Sequence, residues 1–545
     1  MVAATVRLTI VILFSCLSLS AAGEETDNSS IERFAQLDSM LAPHLSPDGT
    51  QVAFLGAIAG RYHVIIERFN PSFSRFIVLP GEELDFEWVR WANNERLVIA
   101  ASWSSKRDAD IYSIRAAGVK TEETRLFSVG SMGQDLTYII KPETFKKTGS
   151  RVPIDLPPPQ LQDDVISGLP DDPDHILVAL DANFDNMTEV RRVNVNDGDY
   201  DTVVGNFAGP VWIADQAGTA RIGWGVYDDG GLRAKYLNTA GEWSDVSNAA
   251  WAEAGFRAIA FTAEPDVVYA HGPNEAGLTI IRKVNIETGK LLEKVFEHDW
   301  ADVGGIAFDD SSDVAVGVTY IDDLPKVEYF DDAMKRLQKN VDAALPDTSN
   351  QIVSTSKNRR QLLVLASSDT NLGSYYLWDR DAKSLDFYAD KVPHLNDGHL
   401  SPTRAVSYKA RDGLEIPAYL TIPKGADAAN LPTIVLPHGG PQDRSTKGYW
   451  FISQFLAAEG YAILQPNFRG SSGYGKAFLE AGTREWGGKM QDDVTDGAQW
   501  LIDEGIADPD RMCIVGWSYG GYAAAMGAVK TPDMFKCAAS INGVL

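Results

Sequence analysis

Between residues 41 and 390 one short pattern recurs: a turn rich in Asp, Gly, Asn and Pro, then brief runs of β-branched or aromatic residues, repeating every ~40 residues. The clearest copy is Leu45-Ser46-Pro47-Asp48-Gly49-Thr50 followed by Gln51-Val52-Ala53-Phe54-Leu55, and further copies begin near Trp91, Asp171, Thr219, Glu264, Asp309 and Lys357. A unit this short cannot bury its apolar face alone, so copies must stack on one another, and this period is that of propeller blades. The repeat predicts a β-propeller of about seven blades over residues 41–395. One insertion interrupts it. Residues 331–344 place Met334, Leu337, Val341 and Ala344 at helical spacing ahead of Pro346, which predicts a helix leaving the sixth blade, read as an ordinary packing helix.

Past residue 400 the strands lengthen and alternate with helices, as in a parallel sheet. Residues 414–422, 431–437, 461–466 and 536–541 read as strands, 451–459 as a helix, and 492–503 as a helix with Val494, Ala498, Leu501 and Ile502 on one face. Within this region Gly516-Trp517-Ser518-Tyr519-Gly520 follows the apolar run Met512-Cys513-Ile514-Val515 and precedes the helix-like Tyr522-Ala523-Ala524-Ala525-Met526. A glycine-flanked serine between strand and helix is a nucleophile elbow, so Ser518 is the candidate nucleophile; the competing reading, a glycine-rich tight turn, does not account for both flanks. His438-Gly439-Gly440-Pro441, after the apolar residues 433–436, offers backbone N–H groups to a developing oxyanion. The candidate donors are the N–H groups of Gly440 and Tyr519. His438 itself is weighed as a base and read as shaping its loop.

The formal charge of −26 argues against a phosphate-binding surface, so no nucleic acid is expected as a partner. Residues 1–22 read as a secretory signal: Arg7, an apolar stretch, then Ser20-Ala21-Ala22. Its removal takes Arg7 away and brings the charge from −26 to −27. The expectation is an exported protein, periplasmic or secreted, with no membrane insertion after cleavage. A lipoprotein anchored at Cys16 is the alternative, disfavoured by the bulk of Phe14. The two cysteines left, Cys513 and Cys537, read as small core residues and not as a disulfide scaffold. No cofactor and no metal are expected. Glu82-Glu83 suggests capture of an amino terminus, but a solvated blade edge is the plainer reading.

Four motifs together carry a resemblance: Tyr408-Lys409-Ala410-Arg411-Asp412-Gly413, His438-Gly439-Gly440-Pro441, Asn467-Phe468-Arg469-Gly470-Ser471-Ser472-Gly473-Tyr474-Gly475 and Gly516-Trp517-Ser518-Tyr519-Gly520-Gly521-Tyr522. In this order, behind a propeller, they resemble the prolyl oligopeptidase family, with its acylaminoacyl- and dipeptidyl-peptidase branches nearest. The resemblance implies an α/β-hydrolase serine peptidase acting on short peptides, with the propeller restricting entry and with backbone N–H donors where the oligopeptidase branch has a phenol. In such hydrolases the acid and the histidine follow the serine along the chain. Here all eight histidines precede Ser518, and Asp533 comes too early in the topology for the acid. The sequence therefore predicts a hydrolase domain incomplete at its C-terminus and inactive as it stands, with residues 536–541 as an exposed edge strand. The alternatives are a carboxylesterase and a non-catalytic propeller binding protein. The predicted organisation is signal peptide 1–22, N-terminal segment 23–40, propeller 41–395 and peptidase domain 396–545.

Overall fold

A computed structural model describes residues 28–69, 73–79, 85–106, 120–130, 132, 137–138, 164–180, 188–207, 209, 211–226, 231–309, 311–395 and 398–544. The leader 1–22 and Glu82-Glu83 lie outside the described residues.

Seven antiparallel sheets follow one another along the chain, six of four strands and the sixth of three, each built from consecutive strands. The seven sequence repeats fall one to a sheet. Alternation explains why the blades stack. In Gln51–Ile58 of blade one, Ala53 and Leu55 face the Phe86, Val89, Leu97 and Ile99 side chains of blade two. Val52 and Phe54 face the other way, onto Leu363 and Tyr375 of blade seven. A strand covered on both faces reads as a continuous apolar run while its side chains still alternate between two cores. Blades one and seven share no strand among the described residues. The ring closes instead through that second core and through Leu45 N–H to Ser354 Oγ (3.0 Å), Lys357 N–H to the Pro47 carbonyl (2.7 Å) and the Tyr388 hydroxyl to Glu67 (2.5 Å). After the third strand of the sixth blade the chain continues as the helix Asp332–Ala344. Asp331 caps it by accepting from Met334 N–H at 2.8 Å, and Met334, Leu337 and Val341 are buried with Tyr329 and Leu362. It is a packing helix. Along the propeller axis all seven blades line a cavity of about 830 Å³, with Leu45, Trp88, Trp212 and Phe308 among its walls.

The second body is a six-stranded sheet of β1 (Thr403–Lys409), β2 (Glu415–Thr421), β3 (Leu431–Val435), β4 (Ala462–Pro466), β5 (Ala507–Trp517) and β6 (Cys537–Ile541), in the order β1-β2-β4-β3-β5-β6. β1 and β2 run antiparallel to their neighbours, while β4, β3, β5 and β6 are mutually parallel. Helices α1 (Phe451–Ala458), α2 (Lys489–Asp503) and α3 (Tyr519–Lys530) cover it from two sides. Ile452, Phe455 and Leu456 of α1 bury one face with Ile434, Ile463 and Val515. Met490, Val494, Ala498 and Leu501 of α2 and Ala523 and Ala524 of α3 bury the other with Val435, Leu464 and Ile514. This is the layering of an α/β-hydrolase. The segment ahead of the propeller belongs in space to this body: Phe34 of the helix Asn28–Phe34 meets Phe455 edge to face at 6.0 Å, and Ser30 Oγ donates to Glu459 at 2.5 Å.

One expectation is overturned here. Cys513 and Cys537 are not separate core residues but a disulfide, their Cα atoms 4.7 Å apart, directly opposite in the register of β5 and β6. Each sits in an apolar strand pattern, and only the pairing of those two strands, which the sequence does not announce, brings them face to face. β6 is the edge strand of the sheet as described.

Candidate active site

Strand β5 ends at Trp517 and helix α3 begins at Tyr519, which leaves Ser518 to make the whole reversal. It does so at φ 54°, ψ −118°, a region that costs a non-glycine residue ~1–3 kcal/mol and persists only where the surroundings enforce it. Two backbone bonds enforce it: Ser518 N–H to the Ile541 carbonyl (3.0 Å) and Tyr522 N–H to the Ser518 carbonyl (3.1 Å). The glycines are required by contact. A Cβ on Gly516 would collide with the Gly520 carbonyl, and one on Gly520 with the Pro437 carbonyl. The turn has the elbow geometry expected of it, with Ser518 partly exposed at its tip and Tyr519 N–H as the first amide of a helix.

The loop after β3 comes to the same place. A Cβ on Gly439 would stand 3.4 Å from Ser518 Cβ and 3.3 Å from the Trp517 carbonyl, so the glycine lets this loop lie against the nucleophile position. Gly440 follows at φ 115°, where L side chains are strained. His438 faces inward, stacked on Phe468 at 4.4 Å. Its Nδ1 lies 2.7 Å from the Gly439 carbonyl and its Nε2 2.8 Å from Ser471 Oγ. Burial pushes its pKa down to about 4, so the ring is neutral at pH 7. A carbonyl can only accept, so Nδ1 carries the proton, and the Ser471 hydroxyl, 2.8 Å from Nε2 and 2.6 Å from the Phe468 carbonyl, holds its one proton between those two acceptors. Both nitrogens are therefore spent on shaping the loop. Among the described residues no histidine and no carboxylate is hydrogen-bonded to Ser518 Oγ.

Beneath the elbow, Tyr519 is buried among Phe468 (5.3 Å), Trp486 (4.7 Å) and Tyr522 (5.7 Å), and burial raises its phenol well above the usual range. The remaining motifs meet at Arg469. Its Nε and Nη2 donate to Asp493 at 2.8 and 2.7 Å, its Nη1 and Nη2 donate to Asp412 at 2.8 and 2.9 Å, and its backbone N–H reaches Asp493 at 3.0 Å. Tyr408 adds a hydroxyl bond to the Asp493 carbonyl at 2.8 Å. The residues 408–413 and 467–475 are thus one polar scaffold that clamps β1, the loop after β4 and α2.

The Arg469 guanidinium holds the Asp412 carboxyl down at about 2. A carboxylate whose pKa is depressed on folding adds stability in full above its unfolded value, near ~4, and loses it as pH falls toward the folded value. Urea midpoints of the wild type and Asp412→Asn should therefore differ at pH 6 and converge between pH 4 and 2. A gap that stays constant across that window would contradict the pairing.

A sequence model of the prolyl oligopeptidase family matches residues 448–545. Dipeptidyl aminopeptidase BIII of Pseudoxanthomonas mexicana is 30% identical over 518 residues, which is 92% of this chain and 69% of that protein. The chain belongs to the prolyl oligopeptidase family of serine peptidases. Dipeptidyl peptidase family member 6 of Caenorhabditis elegans is 32% identical over 47% of this chain and 38% of its own. Among solved structures, prolyl oligopeptidase B from Galerina marginata has a TM-score of 0.63 at 14% identity, covering 95% of this chain and 74% of that one. A puromycin-hydrolysing peptidase of Mycobacterium tuberculosis has 0.61 at 17%, covering 95% and 79%. At such identities the two structures show the shared fold.

Proposed function

We propose that the protein hydrolyses short peptides through an acyl-enzyme on Ser518. The observation that supports this is the abutment of Gly439 on Ser518 at the strained elbow, beside Gly440 in sequence and at the start of α3. Ser518 Oγ attacks the scissile carbonyl, and the oxyanion is met by the N–H groups of Tyr519 and Gly440, each worth about 3 kcal/mol in the transition state. The amide C–N bond breaks, the amine leaves with the serine's proton, and water then releases the acyl group. The proton must pass through a base that these residues do not place beside Ser518. Left alone with them, the hydroxyl stays neutral and weak at pH 7.

The likeness to a dipeptidyl aminopeptidase runs through propeller and hydrolase alike, which favours removal of dipeptides over ester cleavage or an inert binding role. The Cys513–Cys537 disulfide supports export to an oxidising compartment. The full-length enzyme is expected to cleave dipeptidyl chromogenic amides, and comparison with acylaminoacyl amides and with simple esters tests the assignment. Preference for the esters would overturn it.

The family resemblance implies a propeller over the active-site face, and with it a size limit. Peptides beyond ~30 residues are expected to be poor substrates, since a closed site admits only what its opening passes. Digestion of casein at a rate comparable with that of a decapeptide would show the site to be open.

A further inference from the structure

The loop that carries Gly440 does not end at the elbow; three residues after Pro441 it reaches the propeller. Arg444 donates through Nη1 and Nη2 to the carbonyls of Ile321 (3.3 Å) and Asp322 (2.9 Å) in the turn between the second and third strands of blade six. Its guanidinium also donates to the Tyr474 hydroxyl at 3.0 Å and lies 4.4 Å from that ring's centre, and Tyr474 in turn stacks on Trp300 of the propeller at 5.9 Å. A Cβ on Gly473 would strike the Arg444 guanidinium, so that glycine makes room for it. The residues on either side are fixed as firmly. Asp443 accepts from Ser472 N–H at 3.1 Å, Ser445 exchanges two bonds with the Asn467 side chain at 2.7 and 3.0 Å, and Lys447 N–H donates to the Asp323 carbonyl at 2.9 Å.

A loop held at one end by β3 and at the other by the propeller takes its shape from both. We infer that Arg444 is a positioning residue, through which the blade-six turn 321–323 sets the Gly440 loop for oxyanion binding. This rests on the catalytic reading of Ser518 and Gly440 above. Arg444 touches no reacting atom; it fixes where the donor stands, and a donor displaced by about an ångström costs ~100-fold in rate. Such a loss falls on the transition state, not on ground-state binding of a short substrate.

The test uses the full-length enzyme, a dipeptidyl chromogenic amide, and a count of reactive sites by fluorophosphonate titration. Arg444→Ala is expected to lower kcat per titrated site ~10- to 100-fold, with KM within about twofold of wild type. Arg444→Lys should fall with it, because an ammonium cannot serve two carbonyls while lying flat on a ring; it also carries the test if the alanine variant does not fold. From the propeller side, Asp322 accepts the N–H groups of Asp323 (2.6 Å) and Leu324 (3.2 Å), so Asp322→Ala loosens the same turn. It should lower kcat in the same way, and the double variant should be little worse than Arg444→Ala alone. A wild-type kcat per titrated site in Arg444→Ala or Arg444→Lys, or a loss confined to the number of sites, would overturn the inference and leave Arg444 a structural contact. Ser518→Ala run beside them separates the two failures: if it retains activity, the catalytic reading falls and this inference with it.

Discussion

Ser518→Ala is expected to remove about a millionfold of kcat, leaving only what oxyanion donors and substrate binding supply. The effect is so large because the reaction is divided into two steps through a bond that only Oγ can form. The side chain is partly exposed at the elbow and makes no hydrogen bond among the described residues, so its loss leaves no buried group unsatisfied. The thermal midpoint should barely move, which separates lost chemistry from lost structure. An alanine variant with wild-type turnover of a dipeptidyl amide would place the nucleophile elsewhere.

The second large effect is on stability. Arg469→Ala should cost about 3–5 kcal/mol, because it strands a carboxylate already out of water. Asp493 has a fully buried side chain, and the Arg469 fork supplies two of its bonds while reaching Asp412 with the other two. Arg469→Lys should recover little, since one ammonium cannot bridge two carboxylates in a plane. Urea unfolding followed by tryptophan fluorescence measures this, with the loss confined to the transition of the hydrolase body. A cost below about 1 kcal/mol would mean that Asp493 is neutral or hydrated and that the clamp is ornamental.

Much of this arrangement is legible in the residues. The blades are legible because each must bury its strands against a neighbour, so turn and strand signals repeat at fixed intervals, and all seven copies fall one to a sheet. The elbow is legible because its glycines are required by backbone contact, which no other residue can satisfy. Strand β1, Thr403–Lys409, is not: its burial alternates with exposed Arg404, Ala405 and Ser407, and a half-exposed edge strand carries little apolar signal. The disulfide is hidden because it depends on which parallel strands are neighbours, a property of topology and not of local pattern. The docking of Phe34 on Phe455 is hidden for the same reason, since the propeller separates them in sequence. Arg469 is quoted in a motif, but its two carboxylate partners come from a loop and a helix that only the fold brings together.

The central claim is that Ser518 is the nucleophile at a point shared by the Gly440 loop and the start of α3. The most direct measurement is fluorophosphonate labelling of the full-length enzyme, followed by peptide mapping. A single adduct on Ser518, formed in step with loss of dipeptidyl amidase activity and slowed by a short peptide substrate, is the predicted result. An adduct on another residue that tracks the loss of activity, with Ser518 unmodified, would contradict it.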